Sequence, residues 1–293
     1  METIHTIEWM KQAARAARAQ GRLVGLVPTM GALHEGHLSL VRAALGQCQA
    51  VTVSIFVNPA QFGPREDLSR YPRAMEKDAA LLEQLGVHYL FAPQPAEIYP
   101  GGFRTYVNVE SWSERLEGRS RPGHFRGVTT VVLKLLEIVQ PHFAYFGRKD
   151  AQQARLVRQM VCDLNLDTEI VVRPIVREAD GLAMSSRNAY LNRDERRAAT
   201  VLHRALDAVR REITGGERDA QHLQAAMRKV LDAEPLASAD YAEIVDAETL
   251  EPVTRLRRSC LVLLAVFVGT TRLIDNLLIE EDAGKPGEFG VSL

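Results

Sequence analysis

The side chains best suited to chemistry lie in Pro28-Thr29-Met30-Gly31-Ala32-Leu33-His34-Glu35-Gly36-His37. A short apolar run, Leu23–Val27, ends at Pro28, and the apolar spacing of a helix follows over Gly36–Leu45. This patterning predicts a strand, a turn and a helix. A helix N-terminus placed there offers free backbone N–H groups and a partial positive charge, which suit phosphate. His34 and His37 are expected on one face of the first helical turn, each able to donate to a phosphate oxygen. Gly31 and Gly36 fit a turn that wraps a nucleotide, and Gly36 lets a flat ring approach the backbone. The competing readings are incidental surface histidines and a zinc pair. The H-E-x-x-H pattern of metalloproteases is absent, because only two residues separate these histidines, and no third ligand is obvious nearby.

Two further segments fall where strands end, and a third lies at the expected junction between domains. In Phe56-Val57-Asn58-Pro59-Ala60-Gln61-Phe62, Asn58 and Gln61 can both donate and accept, which suits a ligand bearing hydroxyls and a carboxylate. Asn-Pro also starts turns well, so a capped turn is the plainer alternative. In Gly147-Arg148-Lys149-Asp150-Ala151-Gln152-Gln153, Lys149 is a candidate phosphate ligand. Asp150 is a candidate helix cap or magnesium-side carboxylate, and Gln153 projects from the first turn. In Asp180–Asn188, the hydroxyls of Ser185 and Ser186 with Arg187 can surround a polyphosphate. A fourth stretch, Gly118–Gly127, reads as a mobile loop carrying Arg119, Arg121 and Arg126, either solvated or a basic lid over an anion.

The elements that must position these residues follow from periodicity. Ala50–Val57, Val87–Ala92, Phe143–Phe146 and Glu169–Val172 read as strands. Helical stripes at Met75, Ala79, Leu82 and Leu85, over Val128–Val139, and at Val157, Met160, Val161 and Leu164 lie between them. Alternating helix and strand imply an α/β fold with a doubly wound parallel sheet, here over residues 1–184. Residues 185–280, with two amphipathic helices and then strands at Tyr241–Val245, Cys260–Val268 and Arg272–Ile279, read as a smaller α+β C-terminal domain. The polar tail, residues 281–293, is expected to be mobile, so truncation after Ile279 is expected to leave activity intact. The 293 residues include 36 basic and 37 acidic ones, a formal charge of −1, which gives no basic surplus for nucleic acid or an acidic membrane surface. Cys48, Cys162 and Cys260 form no CxxC pair and read as reduced core thiols of a cytoplasmic protein. Residues 1–20 have no signal-peptide core, and the longest apolar run, Cys260–Val268, is too short to cross a bilayer.

Taken together, these segments resemble the pantothenate synthetase family. Arg121-Pro122-Gly123-His124-Phe125-Arg126-Gly127-Val128, Asp240-Tyr241 and Gly269-Thr270-Thr271-Arg272-Leu273-Ile274-Asp275-Asn276 share the likeness, which runs from about Gly21 to about Ile279. The resemblance implies a homodimer of the HIGH-type nucleotidyltransferase group, with a Rossmann-like N-terminal domain and a C-terminal lid domain. It implies that ATP, with Mg2+, activates the carboxylate of (R)-pantoate as an adenylate, which the amine of β-alanine then attacks. Carried over by position, Met30, Gly31, Ala32, Leu33, His34, Glu35, Gly36 and His37 line the ATP site, with His37 as the acid. Asn58 and Gln61 hold pantoate, Gln61 also meets β-alanine, and Gln153 binds pantoate. Gly147, Arg148, Lys149 and Asp150 bind nucleotide, with Lys149 steadying the transferring phosphate. Val176 touches adenosine, and Met184, Ser185, Ser186 and Arg187 close over the polyphosphate. Tyr71 and Arg121 match further site-lining positions. No resident metal site is implied. The chain departs from the family's usual Gly-Glu-Lys-Asp at Arg148, and from its usual aromatic residue at Ala151. The rivals are a nucleotidyltransferase acting on another acid or alcohol, a non-catalytic nucleotide binder on the same fold, and a metal hydrolase using His34 and His37.

Overall fold

A computed structural model describes residues 1–64, 66–281 and 289–292. Two compact units divide the chain: Met1–Gly147 with Gln152–Arg173, and Arg148–Ala151 with Pro174–Leu293. The division falls earlier than the expected 184/185 boundary. The reason is local: Arg177 bridges to Ala183 across the turn at Gly181 (φ 91°), so residues 176–184 form a small hairpin within the second unit.

The first unit is built on a six-stranded sheet of β1 (Glu2–Ile4), β2 (Val24–Thr29), β3 (Ala50–Ile55), β4 (Tyr89–Phe91), β5 (Phe143–Gly147) and β6 (Glu169–Arg173). The order is β1-β4-β3-β2-β5-β6, and every pairing is parallel. All six residues of β3 are buried, as expected of a central parallel strand. Helices Ile7–Ala19, Glu35–Gln47, Met75–Gln84, His124–Val139 and Ala151–Asp163 connect the strands. Val41 and Ala44 of one helix and Leu82 of another meet Val27, Val51, Val53 and Leu90 in one core. Strand succession runs outward on one side of β2 and then returns to its other side at β5. That reversal is the topological switch point, where open α/β sheets bind ligands at the carboxyl ends of strands.

The glycine- and arginine-rich stretch is not the loop that its composition suggests. Glu117–Ser120 is one helical turn, and His124 opens the helix that runs to Val139. Gly118 is required by packing, since a Cβ there would lie 1.9 Å from the Ser113 carbonyl oxygen. Gly123 caps the following helix in the left-handed conformation (φ 81°).

The second unit carries an antiparallel sheet of β7 (Ala237–Asp246), β8 (Cys260–Val268), β9 (Thr271–Glu281) and β10 (Phe289–Ser292), in the order β10-β9-β8-β7. Val201, Leu202, Ala205 and Val209 of helix Val201–Thr214, with Leu223, Met227 and Leu231 of helix Ala220–Asp232, share a core with Val262, Leu264 and Val266 of β8. The strand β10 corrects the expectation of an unpacked tail. Phe289 pairs with Glu281 and Ser292 with Leu278, and Phe289 and Val291 pack against the core. Residues 282–288 and 293 of that expected tail lie outside the described ones. Cys48 and Cys260 are buried, whereas Cys162 is exposed rather than a core thiol. Among the described residues, no helix is long and apolar enough to cross a membrane.

Candidate active site

Thr29 ends β2 level with Ile55 of β3, and its hydroxyl donates to the Ser54 carbonyl (2.8 Å) while accepting from Gly31 N (3.2 Å). The chain then turns sharply through two left-handed residues, Gly31 (φ 84°) and Ala32 (φ 51°). Gly31 is dictated by space as well, because a Cβ would sit 3.0 Å from Ile55 and 3.1 Å from an Asp78 carboxylate oxygen. Ala32 has no such freedom, and left-handed backbone costs a non-glycine residue roughly 1–2 kcal/mol. What holds it there is Asp78, 1% exposed, whose carboxylate oxygens accept from Ala32 N and Leu33 N, each at 2.8 Å. Successive N–H groups converging on one carboxylate form a small anion nest, here filled by the protein itself.

The turn delivers His34 to the N-cap of helix Glu35–Gln47. Its Nδ1 accepts from Gly36 N at 3.2 Å, and His37 Nδ1 accepts from His34 N at 3.4 Å, a capping box made of two imidazoles. The His34 carbonyl takes the N–H groups of His37 (2.8 Å) and Leu38 (3.0 Å). The helix N-terminus therefore does not present the open row of N–H groups expected from sequence. The imidazoles take over that task, with ring centroids 4.1 Å apart. A neutral imidazole that accepts at Nδ1 carries its proton on Nε2, so each ring is set as an Nε2 donor. Glu35 is turned to an ion pair with Arg42.

At the end of β3, Asn58 is buried with both of its amide N–H groups spent. Its amide donates to Gln61 Oε1 and to the Gly127 carbonyl, both at 3.1 Å, and accepts from Ala60 N at 3.2 Å. Gln61 in turn donates to Met30 Sδ at 2.9 Å, which joins this turn to the one after β2. Beyond these bonds the Gln61 amide keeps one N–H and one lone pair. The helix His124–Val139 presses close here, since a Cβ on Gly127 would meet the Ala60 carbonyl oxygen at 2.3 Å. His124, 9% exposed, takes its place behind Gln61: Nδ1 bonds the Gln61 carbonyl at 2.8 Å and Nε2 faces Arg121 Nη1 at 3.1 Å. A carbonyl can only accept and a guanidinium can only donate, so the neutral Nδ1–H tautomer satisfies both. Burial, then the Arg121 charge, lowers the His124 pKa to about 4. Arg121 also grips Glu66 at 2.5 and 3.1 Å, and although burial pushes the Glu66 carboxyl up, that guanidinium draws it below its ordinary value. Arg121 is thus a strut for the Gln61 turn. Arg126 lies over the Tyr106 ring, 3.7 Å from its centroid.

Gly147 closes β5, and Arg148–Asp150 form a short 3-10 turn entering helix Ala151–Asp163. Gln153, half-buried, lies near the start of that helix, while its neighbour Gln152 is buried and bonds Glu117 N, Trp112 O and Arg115 O. In the second unit Lys149 Nζ lies 3.7 Å from Asp150, and Asn276 donates to the carbonyls of Arg148 (2.8 Å) and Lys149 (2.9 Å). Val176 O receives Met184 N at 3.0 Å, and the Ser185 hydroxyl caps the turn Ser186–Tyr190 by accepting from Arg187 N at 3.3 Å. Asn188 anchors that turn to Glu178 (2.9 Å) and the Ala183 carbonyl (3.1 Å).

A family model described as pantoate-beta-alanine ligase matches residues 2–278. The chain belongs to the pantoate-beta-alanine ligase family. A pantothenate synthetase of Roseiflexus castenholzii is 60% identical over 267 residues, 91% of this chain and 96% of the relative. The crystal structure of pantothenate synthetase from Thermus thermophilus superposes with a TM-score of 0.89 at 46% identity, over 94% of this chain and 98% of that one. A pantoate-beta-alanine ligase from Francisella tularensis, crystallised with beta-gamma ATP and beta-alanine, gives a TM-score of 0.77 at 35% identity, over 94% and 97%.

Asp78, His124 and Glu66 also support the site, although residue type and spacing alone do not mark them as site residues. Asp78 had a signal: it lies three residues after Met75 and four before Leu82, so a carboxylate stands on the apolar face of its helix. His124 and Glu66 had none, because their partners are Gln61 and Arg121, brought close only by the fold.

Proposed function

We infer that the chain condenses (R)-pantoate with β-alanine at the expense of ATP, forming pantothenate. A pantoate carboxylate oxygen attacks the α-phosphorus and pyrophosphate leaves, giving pantoyl adenylate. The β-alanine nitrogen, as the free amine, then attacks the activated carbonyl carbon. The C–O bond breaks with its electrons going to AMP, and the nitrogen loses a proton. The observation that carries this reading is the hydrogen-bonded chain Asn58–Gln61–Met30, which joins the polar turn after β3 to the turn bearing His34 and His37. One half suits a hydroxy acid, the other suits phosphates, and the family match supports both.

In this reading the Nε2–H groups of His34 and His37 stabilise charge on the phosphates, with His37 as the proton donor. Met30, Gly31, Ala32, Leu33, Glu35 and Gly36 shape the nucleotide's bed. Gln61 binds pantoate and meets β-alanine, Asn58 holds Gln61 in place, and Gln153 adds a pantoate contact. Lys149, flanked by Gly147, Arg148 and Asp150, stabilises the transferring phosphate. Val176 contacts adenosine, and Met184, Ser185, Ser186 and Arg187 bind polyphosphate. Reactions of this kind need positioning and fixed positive charge rather than a covalent nucleophile. Magnesium accompanies ATP, since that ion binds chiefly through substrate phosphates and water. The half-exposed carboxylate of Asp150 has the chemistry to meet its water shell. A cytoplasmic homodimer belongs to the same reading, and sedimentation of the purified protein checks the oligomer.

The deciding experiment measures pyrophosphate and AMP release from ATP and magnesium. Pyrophosphate with (R)-pantoate alone, and AMP turnover only once β-alanine is added, is the expected result. ATP binding without either release would replace this reading with that of a non-catalytic nucleotide binder.

A further inference from the structure

Arg148 stands next to Lys149 and is partly withdrawn from water; burial lowers its pKa despite Glu280 and Asp275 nearby. Its guanidinium bonds the far end of the chain: Nη1 donates to Ser292 Oγ at 2.8 Å and Nη2 to the Ser292 carbonyl at 3.2 Å. Its Nε has no hydrogen-bond partner among the described residues. Ser292 is brought there by register, because β10 lies antiparallel to β9 with Ser292 opposite Leu278. Phe289 fastens the other end of the strand, with the Arg218 guanidinium 5.0 Å from its ring centroid. From β9, Asn276, buried, donates to both the Arg148 and the Lys149 carbonyls. The turn that carries Lys149 is therefore gripped twice, through its backbone by β9 and through the Arg148 side chain by β10. The family match stops at residue 278, before β10 begins.

We propose that Ser292, delivered by the strand Phe289–Ser292, is a positioning residue for Lys149, acting through Arg148. This rests on the reading that Lys149 stabilises the transferring phosphate. A point charge aimed at a transition state loses value steeply with displacement, so a turn held only by its backbone leaves a slower enzyme rather than a dead one. The same arrangement gives Arg148 a task that a carboxylate at this position could not perform, since a carboxylate has no N–H to donate to the Ser292 carbonyl.

The test is pantoate-dependent pyrophosphate release by the full chain, by a chain ending at Glu281, and by Ser292→Ala, each with and without Arg148→Ala. The truncated chain is expected to lose roughly ten- to a hundredfold in kcat, the range of a misplaced catalytic group, with KM for pantoate unchanged. Ser292→Ala, which keeps the strand and serves if the truncated chain does not fold, should lose several-fold. Because the effect passes through Arg148, neither change should lower kcat further once Arg148 is alanine; a strand that only adds stability would give multiplying losses. Wild-type kcat in both shortened and Ser292→Ala proteins, or losses that multiply with Arg148→Ala, overturns the proposal. Lys149→Ala separates the two readings. If it is as active as the full chain, the role of Lys149 falls and the proposal with it. If it is impaired while the shortened chain is not, the proposal alone falls.

Discussion

Replacing Asp78 by asparagine tests how the turn after β2 is held. The carboxylate takes two backbone N–H groups at 2.8 Å, and at 1% exposure water cannot substitute for it. Hydrogen bonds to a charged acceptor contribute about 1.5–3 kcal/mol each. Asparagine keeps one acceptor oxygen but sets an NH2 group against the other N–H, so one bond is lost and a buried donor is left unpaired. The neutral amide needs less desolvation than the carboxylate, which offsets part of that loss. The net expectation is about 2–4 kcal/mol of destabilisation in urea unfolding. Activity should fall more than stability alone explains. Ala32 has only these bonds to offset its left-handed backbone (φ 51°), and the turn it forms delivers both histidines. At a temperature where the variant remains folded, kcat for pyrophosphate release is expected to drop at least about tenfold, a modest figure for a displaced catalytic group. An Asp78→Asn protein within about 0.5 kcal/mol of the parent, as an ordinary surface change would be, and with the parent's kcat, would refute the idea that the carboxylate holds the turn.

His37→Ala removes an Nε2 donor, together with the long 3.4 Å contact to the His34 N–H, and should keep the fold yet lose roughly a hundredfold in adenylation; an unchanged rate of pyrophosphate release removes His37 from the mechanism. Burial holds His124 at about 4, whereas in the unfolded chain it takes a proton near its ordinary value of about 6.5. Stability is thus complete above pH 6.5 and falls as the pH drops towards about 4, by about 3 kcal/mol at pH 4.5; urea melts of the parent and of His124→Phe, compared across this range, should differ in slope, and parallel slopes refute the assignment. Gly127→Ala drives a methyl group into the Ala60 carbonyl 2.3 Å away, so the Pro59–Gln61 turn must move. The expected result is at least about 1–3 kcal/mol of overpacking cost together with a raised KM for pantoate, and a variant with normal stability and KM would contradict the close approach.

The central strands β2 and β3 were legible because they bury both faces and read as unbroken apolar runs, whereas β1, three residues with one buried, leaves no run to read. Leu23–Val27 and Ala50–Val57 differ by only a few residues from β2 and β3. Elsewhere composition misleads, because packing rather than local preference selects the residue. Gly118–Gly127 looks like a loop because it is rich in glycine, arginine and proline. Two of those glycines are there because Ser113 and Ala60 leave no room for a side chain, and a third because a helix start needs a left-handed cap. Helix Ile7–Ala19 leaves little trace in the sequence for a related reason. It buries little beyond Met10, Ala14 and Ala17, and two alanines make a faint stripe among charges. Phe289–Ser292 is too short to carry an alternation, and its place at the edge of β9 follows from pairing rather than pattern.

The site shows the same division between what a residue type declares and what a partner supplies. His34, His37, Asn58, Gln61 and Lys149 announce themselves by type and by position after a strand. Their settings do not. A histidine expected to sit beside open backbone N–H groups instead consumes them, and so becomes the Nε2 donor itself. An asparagine expected to hold the ligand spends its amide on Gln61 and Gly127. Each change has one cause, which is that a buried donor or acceptor must be satisfied within the protein before a ligand arrives. Polar side chains near a site therefore divide into those with a donor left over and those without. Gln61 is in the first group and Asn58 in the second. Substitution should separate them in kind, with Gln61 variants changing ligand binding directly and Asn58 variants changing it through a displaced Gln61 and a loss of stability.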